Sequence, residues 1–105
     1  MESISIKQVI FVRFPFSDLS DFKLRPAVVV AQANQEDWWL CQITSKAHQD
    51  PHGILLSKQD FCEGGLSLTS YIRPSKVFAA HYSLIEKTVG QLSEEKFQNI
   101  IQEMI

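Results

Sequence analysis

The sequence predicts a mainly β domain of the α+β class, a small and strongly bent sheet that one C-terminal helix covers. From residue 9 to residue 80, short runs rich in Val, Ile, Phe and Trp alternate with turn-forming residues. From residue 93 onward the apolar residues recur at helical spacing instead. A chain of 105 residues is expected to form one domain, spanning residues 1–105.

The N-terminal half predicts three strands. Residues 9–14 (VIFVRF) are β-branched and aromatic, which favours a strand. The polar stretch 15–24 (PFSDLSDFKL) predicts a loop. Residues 26–33 (PAVVVAQA) form a nearly continuous apolar run, as expected of a central strand that is buried on both faces. A turn at 34–37 then leads into a third strand, residues 38–44 (WWLCQIT), and completes a hairpin.

The second half predicts shorter strands. An extended segment resumes at residues 53–56 (GILL), and a turn follows at Gly64-Gly65. Two further strands are predicted at 70–73 and 76–80, and Pro74 separates them because proline cannot donate a hydrogen bond to a ladder.

The C-terminal segment predicts an amphipathic helix that covers the sheet. Ser93 is a suitable N-cap, and Glu94 and Glu95 suit the positive end of the helix dipole. The apolar residues fall at i, i+3, i+4, i+7 and i+8, on one helical face; they are Phe97, Ile100, Ile101, Met104 and Ile105.

The composition argues against several classes of protein. No apolar run approaches the ~18 residues of a membrane span, and the N-terminus lacks the pattern of a signal peptide. We therefore expect a cytoplasmic protein without membrane association. The net charge of −2 argues against a general nucleic-acid coat, so a nucleic-acid site would depend on a local cluster of cations.

The sequence predicts neither a cofactor nor a metal site. Cys41 and Cys62 form no CxxC pair, and no histidine lies at zinc-finger spacing from them. Cys41 lies inside an apolar run and is expected to be a buried free thiol. The three histidines are expected to be solvated loop residues; they are His48, His52 and His81.

The first candidate functional segment is residues 23–26 (KLRP), where a polar loop enters an apolar strand. Pro26 fixes the backbone and biases Arg25 toward an extended conformation. A guanidinium at a rigid strand entrance can hold a phosphate through two parallel hydrogen bonds.

The second candidate segment is residues 42–46 (QITSK), where a strand ends in the hydroxyls of Thr44 and Ser45 and the ammonium of Lys46. Hydroxyls and a cation at a strand end can line a phosphate site. Taken alone, each of the two segments also fits an ordinary strand end.

In this order, the segments resemble the MazF/PemK family of toxin endoribonucleases. The stretches that carry the resemblance are VRFPFSDLSDFKLRPAVVV, WWLCQITSK, GGLSLTSYIRPSKVF and SLIEKTVGQLSEEKFQNII, and they cover nearly the whole chain. The RPAVVV element and ITSK are the most specific. The resemblance implies a curved antiparallel sheet of the SH3-like barrel kind, the MazF/CcdB toxin type, with a strand before the C-terminal helix. It also implies a two-fold homodimer.

The resemblance further implies the toxin of a type II toxin-antitoxin system, which cleaves single-stranded mRNA at short sequences without a metal. Arg25 and Thr44 match the family residues that act on the scissile phosphate. The 2′-hydroxyl of the RNA is the nucleophile, and cleavage leaves a 2′,3′-cyclic phosphate and a 5′-hydroxyl. A cognate antitoxin, often through an acidic segment, would occupy the same groove.

Five further residues are candidates for RNA binding. Phe16 lies in the first predicted loop, where an exposed aromatic ring can stack on an unpaired base, and it fits a core position as well. Lys23, Ser45 and Lys46 flank the candidate catalytic pair. Arg73, on a later strand, is a candidate phosphate ligand.

The chain departs from the family at two places. Lys7-Gln8 stands where many relatives have Gly-Asp, which is expected to alter a turn. Ser70 and Ile72 stand where some relatives carry an Arg and an Asp, with Arg73 one place along. The resemblance therefore does not identify the residue that would work with Arg25 in moving protons during cleavage.

Two other functions fit the same fold, because a fold does not determine a function. One is a gyrase-poisoning toxin, and the other is a catalytically inactive binding protein. RNA cleavage that depends on Arg25 and Thr44 would separate the ribonuclease from both.

Overall fold

Seven antiparallel strands form one curled, half-barrel sheet in the part of the chain that this computed structural model describes, residues 3–15, 21–46 and 50–104. The predicted mainly β fold with one C-terminal helix is confirmed. The order of the strands across the sheet is β4-β6-β3-β2-β1-β7-β5. The elements are β1 (Gln8–Pro15), β2 (Phe22–Gln32), β3 (Asp37–Thr44), β4 (Ile54–Leu56), β5 (Phe61–Gly64), β6 (Ser70–His81), β7 (Ile85–Leu92) and α1 (Glu94–Met104).

The central strand β2 is buried on both faces, as its apolar run predicts. Val28 packs into one apolar cluster, and its neighbours Ala27 and Val29 pack into another, because successive side chains point to opposite faces. The helix covers the first cluster with Phe97 and Ile100, which are buried. The sheet is therefore a rigid platform, and its strand ends are available for a site.

The helix begins where the sequence predicts. The Ser93 hydroxyl accepts a hydrogen bond of 3.2 Å from the backbone N–H of Lys96, and Ser93 O accepts one of 3.0 Å from Phe97 N–H. Ile101 and Met104 pack against the same cluster as Phe97, which confirms the predicted stripe as far as Met104. Ile105 lies outside the described residues.

The predicted loop at 15–24 is too long. Phe22, Lys23 and Leu24 already belong to β2, and they pair with residues 13–15 of β1. Cross-strand pairing with an established neighbour outweighs the polar composition of these residues. As a result, Lys23 and Arg25 are part of a strand and are held by its ladder.

Pro74 does not divide the chain into two strands, since β6 runs unbroken from Ser70 to His81. It does interrupt the pairing with β3. Ile43 pairs with Ile72 and Cys41 with Val77, so four residues of β6 stand opposite one residue of β3. The missing N–H of Pro74 therefore costs no bond of this ladder.

Lys7 has a φ of 76°, in the left-handed region that a non-glycine residue occupies at a cost of about 1 kcal/mol. Two backbone hydrogen bonds impose this conformation, from Lys7 N–H to Val29 O (2.9 Å) and from Leu92 N–H to Lys7 O (2.8 Å). The Lys7 ammonium forms an ion pair with Glu94 at the start of the helix, and this contact lowers the pKa of the Glu94 carboxyl.

We expect Lys7→Gly to be more stable than Lys7→Ala by about 1 kcal/mol. Both variants lose the ion pair with Glu94, so their difference isolates the backbone conformation. Urea unfolding of the two variants measures it. Equal free energies of unfolding would show that the left-handed conformation of Lys7 carries no strain.

Candidate functional site

The strands β2 and β3 separate at the end where the candidate residues lie. Their ladder reaches only as far as Ala27 and Gln42. Two residues further, the same register would place Arg25 opposite Thr44, but the ladder has already ended there. Thr44 is held from the other edge of β3, where it pairs with Tyr71 of β6. The two strands therefore leave a gap between Arg25 and Thr44.

A cavity of about 520 Å³ lies at this gap. Its walls are residues 23–26 of β2, residues 43–46 at the end of β3 and the segment 65–68, together with Phe11 and Ser70. The structure thus brings together five predicted site residues, which are Lys23, Arg25, Thr44, Ser45 and Lys46.

The cavity concentrates positive charge in a protein whose net charge is −2. Lys23, Arg25 and Lys46 line it, and no acidic side chain is among the described residues of its walls. Arg25 is half-buried, while the two lysines are exposed. A recess lined by charge of one sign focuses the electric field and attracts anions, so the site suits an anionic ligand.

Hydroxyl groups supply the polar part of the same cavity. Thr44 Oγ1 accepts a hydrogen bond of 3.1 Å from the backbone N–H of Lys46, which turns the chain at the end of β3. The Ser70 hydroxyl donates a hydrogen bond of 2.9 Å to Leu68 O and holds the third wall against β6. Cationic and hydroxyl groups around one recess are the groups that contact phosphates.

The family model of the PemK-like, MazF-like toxins of type II toxin-antitoxin systems matches residues 7–105. The chain belongs to this family. The resemblance described above is thereby confirmed. Comparison with curated protein sequences gives no significant match.

Solved toxins share the fold. The MazE-MazF complex (Form-II) from Deinococcus radiodurans superposes with a TM-score of 0.78 at 14% identity, over 99% of this chain and 94% of that chain. The Mycobacterium tuberculosis toxin MazF-mt6 gives a TM-score of 0.70 at 12% identity, over 92% and 91% of the two chains. An endoribonuclease in complex with its cognate antitoxin, from mycobacterial species, gives 0.70 at 14% identity, over 99% and 90%.

Arg73 of this MazF-like toxin is not among the described residues that line the cavity. Its guanidinium contacts Asp50 (Nε to Oδ2, 3.5 Å) and donates a hydrogen bond to the Gln42 side chain (Nη1 to Oε1, 3.1 Å). The side chains of Arg73 and Asp50 are 14% and 5% exposed, so this is a mostly buried ion pair. The role of Arg73 in RNA binding stays a prediction, and the described contacts favour a structural one.

The buried Asp50 has several polar partners besides Arg73. Its carboxylate accepts hydrogen bonds from His52 N–H (2.9 Å) and from the Ser75 hydroxyl (3.2 Å). These bonds, that of His52 first, together with the charge of Arg73, lower the pKa of the Asp50 carboxyl against the opposing effect of burial. The carboxylate is therefore kept ionised by its partners.

Phe16, predicted to stack on a base, lies outside the described residues, so its role stays a prediction. Phe22, the first residue of β2, is 48% exposed, and the Arg13 guanidinium lies 5.5 Å from its ring centre. Phe22 is not among the described residues that line the cavity, but an exposed ring of this kind is suitable for stacking on a base.

The third wall of the cavity was not predicted from the sequence. Residues 65–68 contribute Ser67 and the 66% exposed Leu68. The available signal is the Gly64-Gly65 pair, since Gly64 has a φ of 64° and a Cβ there would lie 2.1 Å from Val89 O. This turn, which only glycine fits, directs the segment back toward β2 and β3.

The remaining ionisable groups offer no second reactive centre in the described part of the chain. Burial, followed by the charge of Asp50, raises the pKa of the Cys41 thiol to about 12, so Cys41 is a poor nucleophile. Among residues 3–15, 21–46 and 50–104, no group of three His, Cys, Asp or Glu side chains converges. The described helix is too short and too polar to cross a membrane.

Proposed function

We propose that this toxin is an endoribonuclease that cleaves single-stranded RNA in the cationic cavity between β2 and β3. The observation that carries the proposal is that Arg25 and Thr44 line one cavity with two lysines and without a described carboxylate. The polyanionic backbone of RNA is complementary to such a recess. Single-stranded RNA is favoured because its flexible backbone can enter a narrow gap between strand ends.

The proposed chemistry takes its nucleophile from the RNA. The 2′-hydroxyl loses its proton and its oxygen bonds to the adjacent phosphorus. The bond from phosphorus to the 5′-oxygen breaks, and that oxygen takes up a proton. The products are a 2′,3′-cyclic phosphate and a 5′-hydroxyl. Besides allowing these two proton transfers, the enzyme orients the phosphate and stabilises its charge.

Each cavity residue has a role in this proposal. The Arg25 guanidinium stabilises the extra negative charge of the pentacovalent phosphorus, because it can contact two oxygens at once. The Thr44 hydroxyl contacts a nonbridging oxygen of the same phosphate. Lys23, Lys46 and Ser45 bind the neighbouring phosphates, which sets the register of the RNA.

A cleavage assay on a long, unstructured RNA tests this function. We expect cleavage to continue in EDTA, because in this proposal Arg25 and the two lysines supply the positive charge and Thr44 supplies a hydrogen bond. Mass spectrometry should find 2′,3′-cyclic phosphate and 5′-hydroxyl ends. The Arg25→Ala variant, purified in the same way, controls for contaminating ribonucleases. Activity that disappears in EDTA and returns only with Mg²⁺ would contradict the mechanism, and no cleavage under any condition would favour the binding-only functions.

We also propose a cognate antitoxin that presents acidic side chains to the same cavity. Two of the solved structures with this fold, described as a MazE-MazF complex and as an endoribonuclease with its cognate antitoxin, contain such a partner. The cations that would bind RNA phosphates would equally bind carboxylates. The partner would therefore inhibit by competition.

A homodimer completes the proposal. The described surface includes large apolar side chains on adjacent strands, such as Trp39 (42% exposed) and Val77 (40% exposed), and a second copy would cover surface of this kind. Sedimentation velocity at micromolar concentration should give one species of twice the chain mass. A 12.0 kDa species at that concentration would contradict the dimer.

A further inference from the structure

The interruption in the β3–β6 ladder holds a polar network that the proposed chemistry does not use. Residues 73–76 of β6 stand opposite Gln42 alone, because pairing stops at Ile72 and resumes at Val77. The first and third of these residues, Arg73 and Ser75, reach the carboxylate of Asp50.

Asp50 is held from three directions. Arg73 and Ser75 contact its Oδ2 from β6, His52 N–H donates to its Oδ1, and its backbone oxygen accepts from Gly53 N–H at 3.0 Å. Gln42 of β3 joins the network through Arg73. Asp50 is buried, and a buried carboxylate with this many partners is held firmly in one position.

The network adjoins the end of β3 that forms one wall of the cavity. Gln42, which accepts a hydrogen bond from the Arg73 guanidinium, lies two residues before Thr44 on this strand. Thr44, Ser45 and Lys46 then line the cavity. The contact between Arg73 and Gln42 therefore ties the network to the strand end that carries the wall.

We propose that Arg73 and Asp50 are a pair of positioning residues that fix the Thr44–Lys46 wall of the cavity, and that Arg73 binds no phosphate itself. The effect on RNA cleavage rests on the function proposed above, whereas the effect on the wall does not. Removal of either partner takes the opposite charge away from a mostly buried ion pair, so each loss is expected to disturb the same segment.

The decisive variant is Asp50→Asn, which removes one negative charge. The two possible roles of Arg73, phosphate ligand and positioning residue, predict opposite effects of this variant on the activity toward RNA. If Arg73 were a phosphate ligand, Asp50→Asn would release it and remove a negative charge near the RNA, and RNA binding would become tighter. If the pair positions the wall, Asp50→Asn weakens cleavage despite the favourable change of charge. Asn keeps an oxygen for the His52 N–H, so this variant is the one most able to fold.

We expect Asp50→Asn and Arg73→Ala each to lower kcat/KM for RNA by about tenfold or more, as small displacements of an active site do. The double variant should be no worse than the poorer single variant, because both disrupt one unit. Glu103→Ala, which removes an exposed negative charge from the helix, is the matched control and should leave kcat/KM unchanged. Tighter RNA binding by Asp50→Asn, or additive losses in the double variant, would overturn the proposal.

Amide hydrogen exchange tests the wall without any RNA. The N–H of Lys46 donates to Thr44 Oγ1, so its protection reports the order of the wall. We expect exchange at Lys46 to be about tenfold faster in Asp50→Asn and in Arg73→Ala, and unchanged in Glu103→Ala. Unchanged exchange in both network variants would overturn the positioning role. If the two network variants exchange faster while the wild-type protein cleaves no RNA, the positioning role is upheld and the proposed function is rejected.

Discussion

Arg25→Ala is expected to lower the rate of RNA cleavage by about a thousandfold, the loss typical of a main electrostatic group in a transition state. The fold should survive, because Arg25 is a half-buried residue at the cavity and belongs to neither apolar cluster of the described core. Single-turnover cleavage measures the loss, and thermal unfolding confirms that the variant is folded. A variant that keeps a tenth of the wild-type rate has lost only about 1.4 kcal/mol of transition-state stabilisation, and Arg25 would then not be central.

Variants of Thr44 are expected to lose less of the cleavage rate than Arg25→Ala does. Thr44→Val removes one neutral hydroxyl at nearly constant volume, so the expected loss of rate is smaller, about tenfold. Thr44→Ser keeps the hydroxyl that accepts from Lys46 N–H and should stay within about threefold of the wild type. A larger loss in the Ser variant than in the Val variant would mean that the methyl group of Thr44, and not its hydroxyl, is what matters.

Growth arrest in cells separates the ribonuclease from a toxin that acts by binding. A gyrase-poisoning protein of this fold would have no use for a phosphate-stabilising guanidinium at Arg25. We therefore expect Arg25→Ala to abolish toxicity together with cleavage. Toxicity that persists in this variant would favour the binding-only function.

The central hairpin explains why sequence reasoning located the candidate pair. A turn at residues 34–37 places residues on either side of it opposite each other, so Arg25 and Thr44 lie at corresponding ends of β2 and β3. Each position follows from a local feature of the sequence. Arg25 lies where the chain enters one apolar strand, and Thr44 lies where the next strand ends. The cavity itself is not a local feature, because its walls also include the segment 65–68 and Ser70, which are distant in sequence from both strand ends.

Features that depend on distant contacts escaped sequence reasoning. The edge strand β5 has the sequence FCEG, without the alternation that predicts a strand, and it forms because β7 offers a free edge. The sequence predicts RNA binding for Arg73, which stays a prediction, and it carries no sign of the ion pair that Arg73 forms. Its partner Asp50 is distant in sequence, and the interrupted ladder alone brings the two together.

The second large effect is expected from reversing the charge of the cavity. The double variant Lys23→Glu/Lys46→Glu leaves Arg25 as the described cation of the walls, beside two new carboxylates. RNA affinity should fall by at least about a hundredfold at low salt, since two phosphate contacts become repulsive. The slope of log K against log salt concentration should shrink by about 1.4, because each phosphate contact on a single strand contributes about 0.7.

The same double variant also tests whether the antitoxin and RNA share the cavity. An acidic antitoxin segment should lose affinity in parallel with RNA, because it would meet the same lysines. Lys58→Glu/Lys76→Glu is the matched control, since it changes the net charge equally at exposed positions that do not line the cavity. Equal losses in both double variants would mean that overall charge, rather than the cavity, governs binding. Loss of RNA binding with full retention of antitoxin binding would place the two ligands on separate surfaces.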